Sequence, residues 1–267
     1  MKLKDHYFLD EERTTVYVYI RKNACSLFKR MILDALPKDK AASNLTDIQM
    51  MHRYRAASYR EVSRAKRRVF VLRNPIERVV SGFLNQVVLK IDDDYPEMFV
   101  EMEKQVEKPR GDVTFEDFVS NYLCAADFSQ VNAHFHPVVS HLGDFRYTHV
   151  LIDKTMYKDA WAVFGREIAD KYFAVRRNDT SKLKSEKTPK AHLISAREIL
   201  STYRTEGYLP TKGSFISPDL RVALEKQYAA DMTLFSTMMQ RRTRRKDAPV
   251  GADFREFDFS EIYSHNF

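Results

Sequence analysis

The chain has 267 residues, 44% hydrophobic and 30% charged, with a formal net charge of +7. Those proportions exclude a disordered chain and allow a sizeable core. The two cysteines, Cys25 and Cys124, exclude a disulfide framework. The modest positive excess suits a polyanionic cofactor, an acidic glycan or nucleic acid alike. The N-terminus has no apolar signal-peptide core, and no apolar run approaches a membrane span. The simplest expectation is a cytoplasmic protein.

Residues 1–13 read as a polar lead-in. Over residues 14–20, Val16, Val18 and Ile20 alternate with Tyr17 and Tyr19, which predicts a strand buried on both faces. Arg21, Lys22 and Asn23 then break the pattern, followed by the small residues Ala24, Cys25 and Ser26. From Leu27 the apolar period becomes helical (Leu27, Met31 and Ala35, with Phe28 and Ile32) as far as Pro37. A strand, a short basic loop and a helix start form an anion-binding layout, because the first helical amides and the helix dipole both favour negative charge. Ser26 is expected to cap the helix or to bind the anion through its hydroxyl. An ordinary βα turn has the same outline. No glycine lies between Met1 and Arg73, so the G-x-x-x-x-G-K-[ST] loop of ATPases and kinases is absent.

Residues 38–52 read as a polar loop and 53–67 as a short helix, with RAKRR (64–68) as a solvated flank. Val69–Leu72 is a second apolar strand. Arg73 ends it, Asn74 is a good N-cap and Pro75 suits the first helical position. Ile76, Val79, Val80, Phe83, Leu84 and Val87 then mark the apolar side of a helix carrying Ser81. Arg73 thus stands at a strand's carboxyl end, where open α/β sheets bind ligands. A structural salt bridge for Arg73 and a solvent-facing Ser81 are the ordinary alternatives.

An acidic insertion follows, with a helix over 95–107. Thr114 caps a helix reaching Cys124. His134, His136 and His141 crowd one stretch, but neither cysteines nor acidic residues accompany them at metal spacing, so no metal site is expected. Residues 146–152 form a strand, Met156–Lys171 a helix, 176–191 a basic loop and Ala191–Tyr203 a helix. Ser217, Pro218 and Asp219 open a helix that runs past Met239 to the basic end RRTRRK (241–246). The aromatic tail is expected to pack on the domain or on a partner. With no repeat and no evident boundary, residues 1–267 are expected to form a single domain, with a core at about 14–240 and a tail over 241–267.

Four segments resemble the motifs of sulfotransferases that use 3′-phosphoadenosine 5′-phosphosulfate (PAPS), in particular the Golgi-type carbohydrate sulfotransferases. Lys22, Ala24, Cys25, Ser26, Phe28 and Lys29 resemble K-x-A-C-[TS]-x-W-K. Arg73, Asn74, Pro75, Arg78, Ser81 and Phe83 resemble R-[DN]-P-x-x-R-x-x-S-x-[YF]. Asn132, His134, Phe135 and Pro137 resemble N-x-H-W-x-P, and Tyr228, Asp231 and Phe235 resemble Y-x-x-D-x-x-L-F. The departures are Phe for Trp at Phe28 and Phe135, and IDKT (152–155) in place of a Gly-Lys-x-Glu pattern. They bear on the acceptor more than on the cofactor. The resemblance implies an α/β fold with a P-loop-like central parallel sheet flanked by helices and an inserted helical region. It also implies PAPS as sulfate donor without a metal, a carbohydrate acceptor, and no nucleic-acid partner.

In-line sulfuryl transfer needs positioned groups and a stabilised leaving phosphate. Residues Arg21 to Ser26 (Arg21, Lys22, Asn23, Ala24, Cys25, Ser26) are expected to hold the 5′-phosphosulfate, with Lys22 at the bridging oxygen. Arg73 and Ser81 are expected to grip the 3′-phosphate. The base is expected to be His134, with His136 second: if 133–136 is extended, both point to one side, and His141 lies outside the cleft. Two other classes stand beside this one. A nucleotide phosphotransferase on the same fold would show ATP chemistry, and a non-catalytic polyanion-binding module would bind in a salt-dependent way without responding to PAPS.

Overall fold

The computed structural model describes residues 6–36, 44–93, 96–174 and 183–244. The expected helix stop at Pro37, residues 176–182 of the basic loop and the aromatic tail from residue 245 onward lie outside the described residues. In chain order the strands are β1 (Tyr7–Leu9), β2 (Thr15–Val18), β3 (Arg67–Leu72), β4 (His149–Ile152), β5 (Lys184–Glu186) and β6 (Tyr208–Pro210). The helices are α1 (Cys25–Asp34), α2 (Asp47–Arg55), α3 (Tyr59–Arg64), α4 (Pro75–Gly82), α5 (Pro96–Val106), α6 (Phe115–Asp117), α7 (Met156–Phe164), α8 (Arg166–Ile168), α9 (Ala196–Glu206), α10 (Pro218–Gln227) and α11 (Ala229–Arg244). The chain divides into two compact units. Unit 1 is Met1–Arg73, Val138–Asn178 and Thr233–Phe267; unit 2 is Asn74–Pro137 and Asp179–Met232.

Unit 1 holds a four-stranded sheet in the order β1-β2-β3-β4. β2, β3 and β4 are parallel, and β1 adds an antiparallel edge. The expected parallel, helix-flanked α/β sheet is present, with that edge as a correction. Tyr7, Phe8 and Leu9, expected in a polar lead-in, are fully buried in β1. The sheet packs Tyr17, Val69, Val71 and Leu151 against Phe28 and Ile32 of α1 and Met156 and Val163 of α7. Phe28 stacks flat on Tyr17 with centroids 3.6 Å apart.

Three further expectations in unit 1 are corrected. Of the polar loop expected over 38–52, residues 38–43 lie outside the described residues and residues 47–52 belong to α2, which Thr46 and Gln49 open with a reciprocal capping box. The helix expected over Met156–Lys171 breaks at Gly165, whose φ of 87° lies in the left-handed region. The basic flank 64–68 is not wholly solvated: Arg68 donates to the carbonyls of Val62, Ser63 and Ala65 at the end of α3.

Unit 2 is mostly helical around a core containing Phe83, Phe115, Phe118, Phe135, Phe215 and Tyr228. Asn74 caps α4 by accepting the Glu77 amide at 3.0 Å, with Pro75 in the first turn. Thr114 and Asp117 form the box that opens α6, and the helix continues as a wider π turn over Phe118–Leu123. The helix opened by Ser217 is interrupted at Tyr228, where α11 begins afresh. Among the described residues no helix is long and apolar enough to cross a membrane.

Candidate active site

In unit 1 the candidate residues gather at the carboxyl ends of the parallel strands. The loop after β2 adopts a conformation that its sequence does not favour. Lys22 and Ala24 both have positive φ, 66° and 53°, although neither is glycine. L-residues in that region are destabilised by roughly 1–2 kcal/mol each, so neighbouring structure must hold them there. Asn23 does much of the holding. It is 0% exposed, and its amide donates to the Val71 carbonyl at 2.8 Å. Its side-chain amide is therefore a stitch between loop and sheet, and its backbone amide donates to the Ile20 carbonyl at 3.2 Å, closing the turn.

Ala24 is the N-cap of α1, and no side chain caps the helix. Ser26 therefore does not cap it; it sits in the first turn, half-buried like Arg21, Lys22 and Cys25. The amides of Cys25 and Ser26 have no intrahelical carbonyl to reach, as at any helix start. Burial, then the adjacent Cys25 thiol, pushes the Tyr19 phenol well above its ordinary value, so it stays neutral beside the loop. Lys29, part of the first motif, pairs with Asp47 at 2.7 Å.

Arg73 follows β3, and Asp153 follows β4. The parallel register pairs Leu72 with Ile152, so the next residues lie side by side. Arg73 Nε stands 3.6 Å from the Asp153 carboxylate, and its Nη1 donates to the Lys22 carbonyl at 3.3 Å. With a side chain 11% exposed, Arg73 forms both the structural ion pair and a brace for the strained loop. Asp153 was not anticipated as a site residue; only the register, which sequence does not print, reveals it.

In unit 2 the histidines occupy a turn, not an extended segment: the Phe135 amide donates to the Asn132 carbonyl at 2.9 Å. The expectation that His134 and His136 share one pleat face is therefore wrong. Asn132 Oδ1 accepts the His134 amide at 3.1 Å and lies 2.7 Å from His134 Nδ1. An amide oxygen only accepts, so Nδ1 carries a proton and Nε2 carries the lone pair of the neutral ring. His136 Nε2 lies 2.7 Å from the Val131 carbonyl, so there the proton is on Nε2.

The turn is gripped from beneath. Arg78, 1% exposed, donates to the His136 carbonyl at 2.6 Å and the His134 carbonyl at 3.4 Å. The Tyr228 hydroxyl donates to the Phe135 carbonyl between them at 2.7 Å. Asp231, fully buried, lies 3.8 Å from Arg78, whose guanidinium also sits over the Tyr228 ring. Gly82 makes room for Phe135: a Cβ there would stand 2.5 Å from the ring. Arg78, the histidine turn and Tyr228 with Asp231, drawn from three separate sequence motifs, thus form one cluster. Ser81 is 5% exposed on α4.

These motif residues fall within a family model. The model, described as the Sulfotransferase family, matches residues 5–236. The chain belongs to the sulfotransferase family. No curated protein and no solved structure matches it. Membership makes the protein a transferase of sulfuryl groups. In this sulfotransferase no group of three or more His, Cys, Asp or Glu among the described residues could hold a metal ion. His141 lies edge-on to His6, with ring centroids 4.7 Å apart.

Proposed function

We propose that this sulfotransferase moves the sulfuryl group of PAPS to a hydroxyl of a carbohydrate acceptor, as a Golgi-type carbohydrate sulfotransferase on a P-loop-like sheet. The whole chain would serve as one catalytic domain. The observation that carries the reading is the loop after β2. It lacks glycine yet holds left-handed backbone at Lys22 and Ala24, immediately before a helix start. Strain of this kind persists where a site needs a fixed concavity, and successive amides there suit phosphate oxygens. The residues present therefore fit the donor.

Bound there, the donor would supply an activated sulfuryl group for in-line displacement, with charge spread over its equatorial oxygens. The amides of Ala24, Cys25 and Ser26 and the Ser26 hydroxyl would bind the 5′-phosphosulfate, with Arg21 and Asn23 shaping the loop. Lys22 would neutralise charge on the leaving phosphate. Arg73 and Ser81 would read the 3′-phosphate. His134 would accept the acceptor's hydroxyl proton at Nε2, since Asn132 keeps the other nitrogen protonated. His136 is the second candidate. Its Nε2 proton is committed to Val131, which leaves only Nδ1 to act.

The test is transfer of labelled sulfate from PAPS to a panel of glycans and small alcohols. Transfer to glycans is expected. Transfer confined to small alcohols would overturn the carbohydrate assignment. Phosphoryl transfer from ATP without sulfation would overturn the donor assignment.

A further inference from the structure

Asp159 is a carboxylate with no assigned task, and it is among the most deeply buried charged groups of unit 1. It lies on α7, 1% exposed. Its Oδ2 accepts the Ile152 amide at 2.8 Å and the Thr155 hydroxyl at 3.0 Å. Arg242 on α11 completes the shell, with Nη1 at 2.9 Å from Oδ2 and Nη2 at 2.9 Å from Oδ1. Two parallel bonds from one guanidinium to one carboxylate are the fork geometry that fixes orientation as well as charge.

What Asp159 holds is a single short turn. Ile152 ends β4 and Thr155 is the N-cap of α7, so the carboxylate pins both ends of Asp153–Thr155. Asp153 in that turn is the partner of Arg73, and Arg73 donates to the Lys22 carbonyl. A path therefore runs from Arg242 through Asp159 to the turn that carries Asp153, and from Asp153 through Arg73 to the strained loop. Arg242 lies beyond residue 236, where the family match ends. The sequence places it in a basic run that reads as an exposed end. Here it has a partner inside the unit.

We infer that Arg242 and Asp159 are positioning residues for the nucleotide site: their fork sets the placement of Asp153, and through it the aim of the Arg73 guanidinium. The inference rests on the proposed reading of the 3′-phosphate by Arg73. A carboxylate that loses a buried partner relaxes or draws in water, and the turn it pins then moves with it.

The test is calorimetry of 3′-phosphoadenosine 5′-phosphate and AMP on wild type, Arg73→Ala, Arg242→Met and Arg242→Lys. The quantity compared is the affinity ratio of the two nucleotides. A reduced folded fraction weakens both equally and leaves the ratio unchanged, so a merely structural role would not move it. Wild type should prefer the 3′-phosphorylated nucleotide, and Arg73→Ala should abolish the preference. Arg242→Met should cut it by roughly three- to thirtyfold. Arg242→Lys keeps the charge but not the fork, and should fall between the two; if Arg242→Met does not fold, this variant decides. A wild-type ratio retained in Arg242→Met, or in Arg242→Lys when it alone folds, overturns the positioning role while leaving the Arg73 reading intact. No preference in wild type overturns both.

Discussion

The loop after β2 and the turn around His134 are both short and free of glycine, yet they are held by opposite means. The loop is fixed by its neighbours in the sheet: Asn23 bonds the Val71 carbonyl, and Arg73, at the end of β3, braces Lys22. Its conformation is itself strained. No residue of the turn has a positive φ, and three successive carbonyls lean on a buried cation and a buried phenol. The two should therefore fail differently. Changes in the loop should cost function with little cost in stability, whereas changes beneath the turn should cost stability first.

The largest expected effect breaks the turn. Arg78→Ala removes the guanidinium beside the buried Asp231 carboxylate and releases two carbonyls, so it should destabilise the protein by about 3–5 kcal/mol. Chemical denaturation measures this, and a loss below about 1 kcal/mol would erase the contrast. Next comes the loop. Lys22→Ala should lower transfer roughly 10²-fold or more while the unfolding midpoint stays close to that of wild type. Equal losses in activity and stability would say that the two regions are built alike.

A smaller effect sharpens the strain itself. Ala24→Gly removes the left-handed penalty at some cost in chain entropy, and should raise stability by about 0.5–1 kcal/mol. A decrease would mean that the loop is not strained at this position. The smallest concerns a surface pair. Glu61 is bonded by Arg13 and by the amide and hydroxyl of Ser58, which together hold its carboxyl near about 2 against an ordinary 4.5. A lowered value means that its stabilisation is complete above pH 4.5 and is lost as pH falls towards 2. The gap in melting temperature between wild type and Glu61→Gln should therefore close across that window. A gap that persists unchanged at pH 2 would assign the effect to packing.

Much of the sheet-end half was legible in the sequence. The switch from strand period to helix period at Arg21–Ser26 marked the loop, and Asn74 with Pro75 marked the start of α4. The capping pair Thr46 and Gln49 was readable too, but α2 shows little apolar periodicity to support it. What local pattern could not give was pairing at a distance. β1 is only three residues long and exists because β2 lies beside it. Arg78 is buried because it meets carbonyls 56 and 58 residues further along. Asp153 joins Arg73 only through the β3–β4 register. An extended 133–136 was the condition for both histidines to face one side, and Pro137 restricts only the residue before it, His136. That restriction did not reach Asn132 to Phe135, where the turn forms.

His134 is proposed to act on the acceptor and not on the donor. His134→Ala should be assayed for sulfate transfer and, by calorimetry, for binding of 3′-phosphoadenosine 5′-phosphate. Transfer should fall by roughly 10²–10⁴-fold, as for a lost general base, with nucleotide affinity within about twofold of wild type. Transfer at the wild-type rate, or a parallel loss of nucleotide affinity, would contradict it.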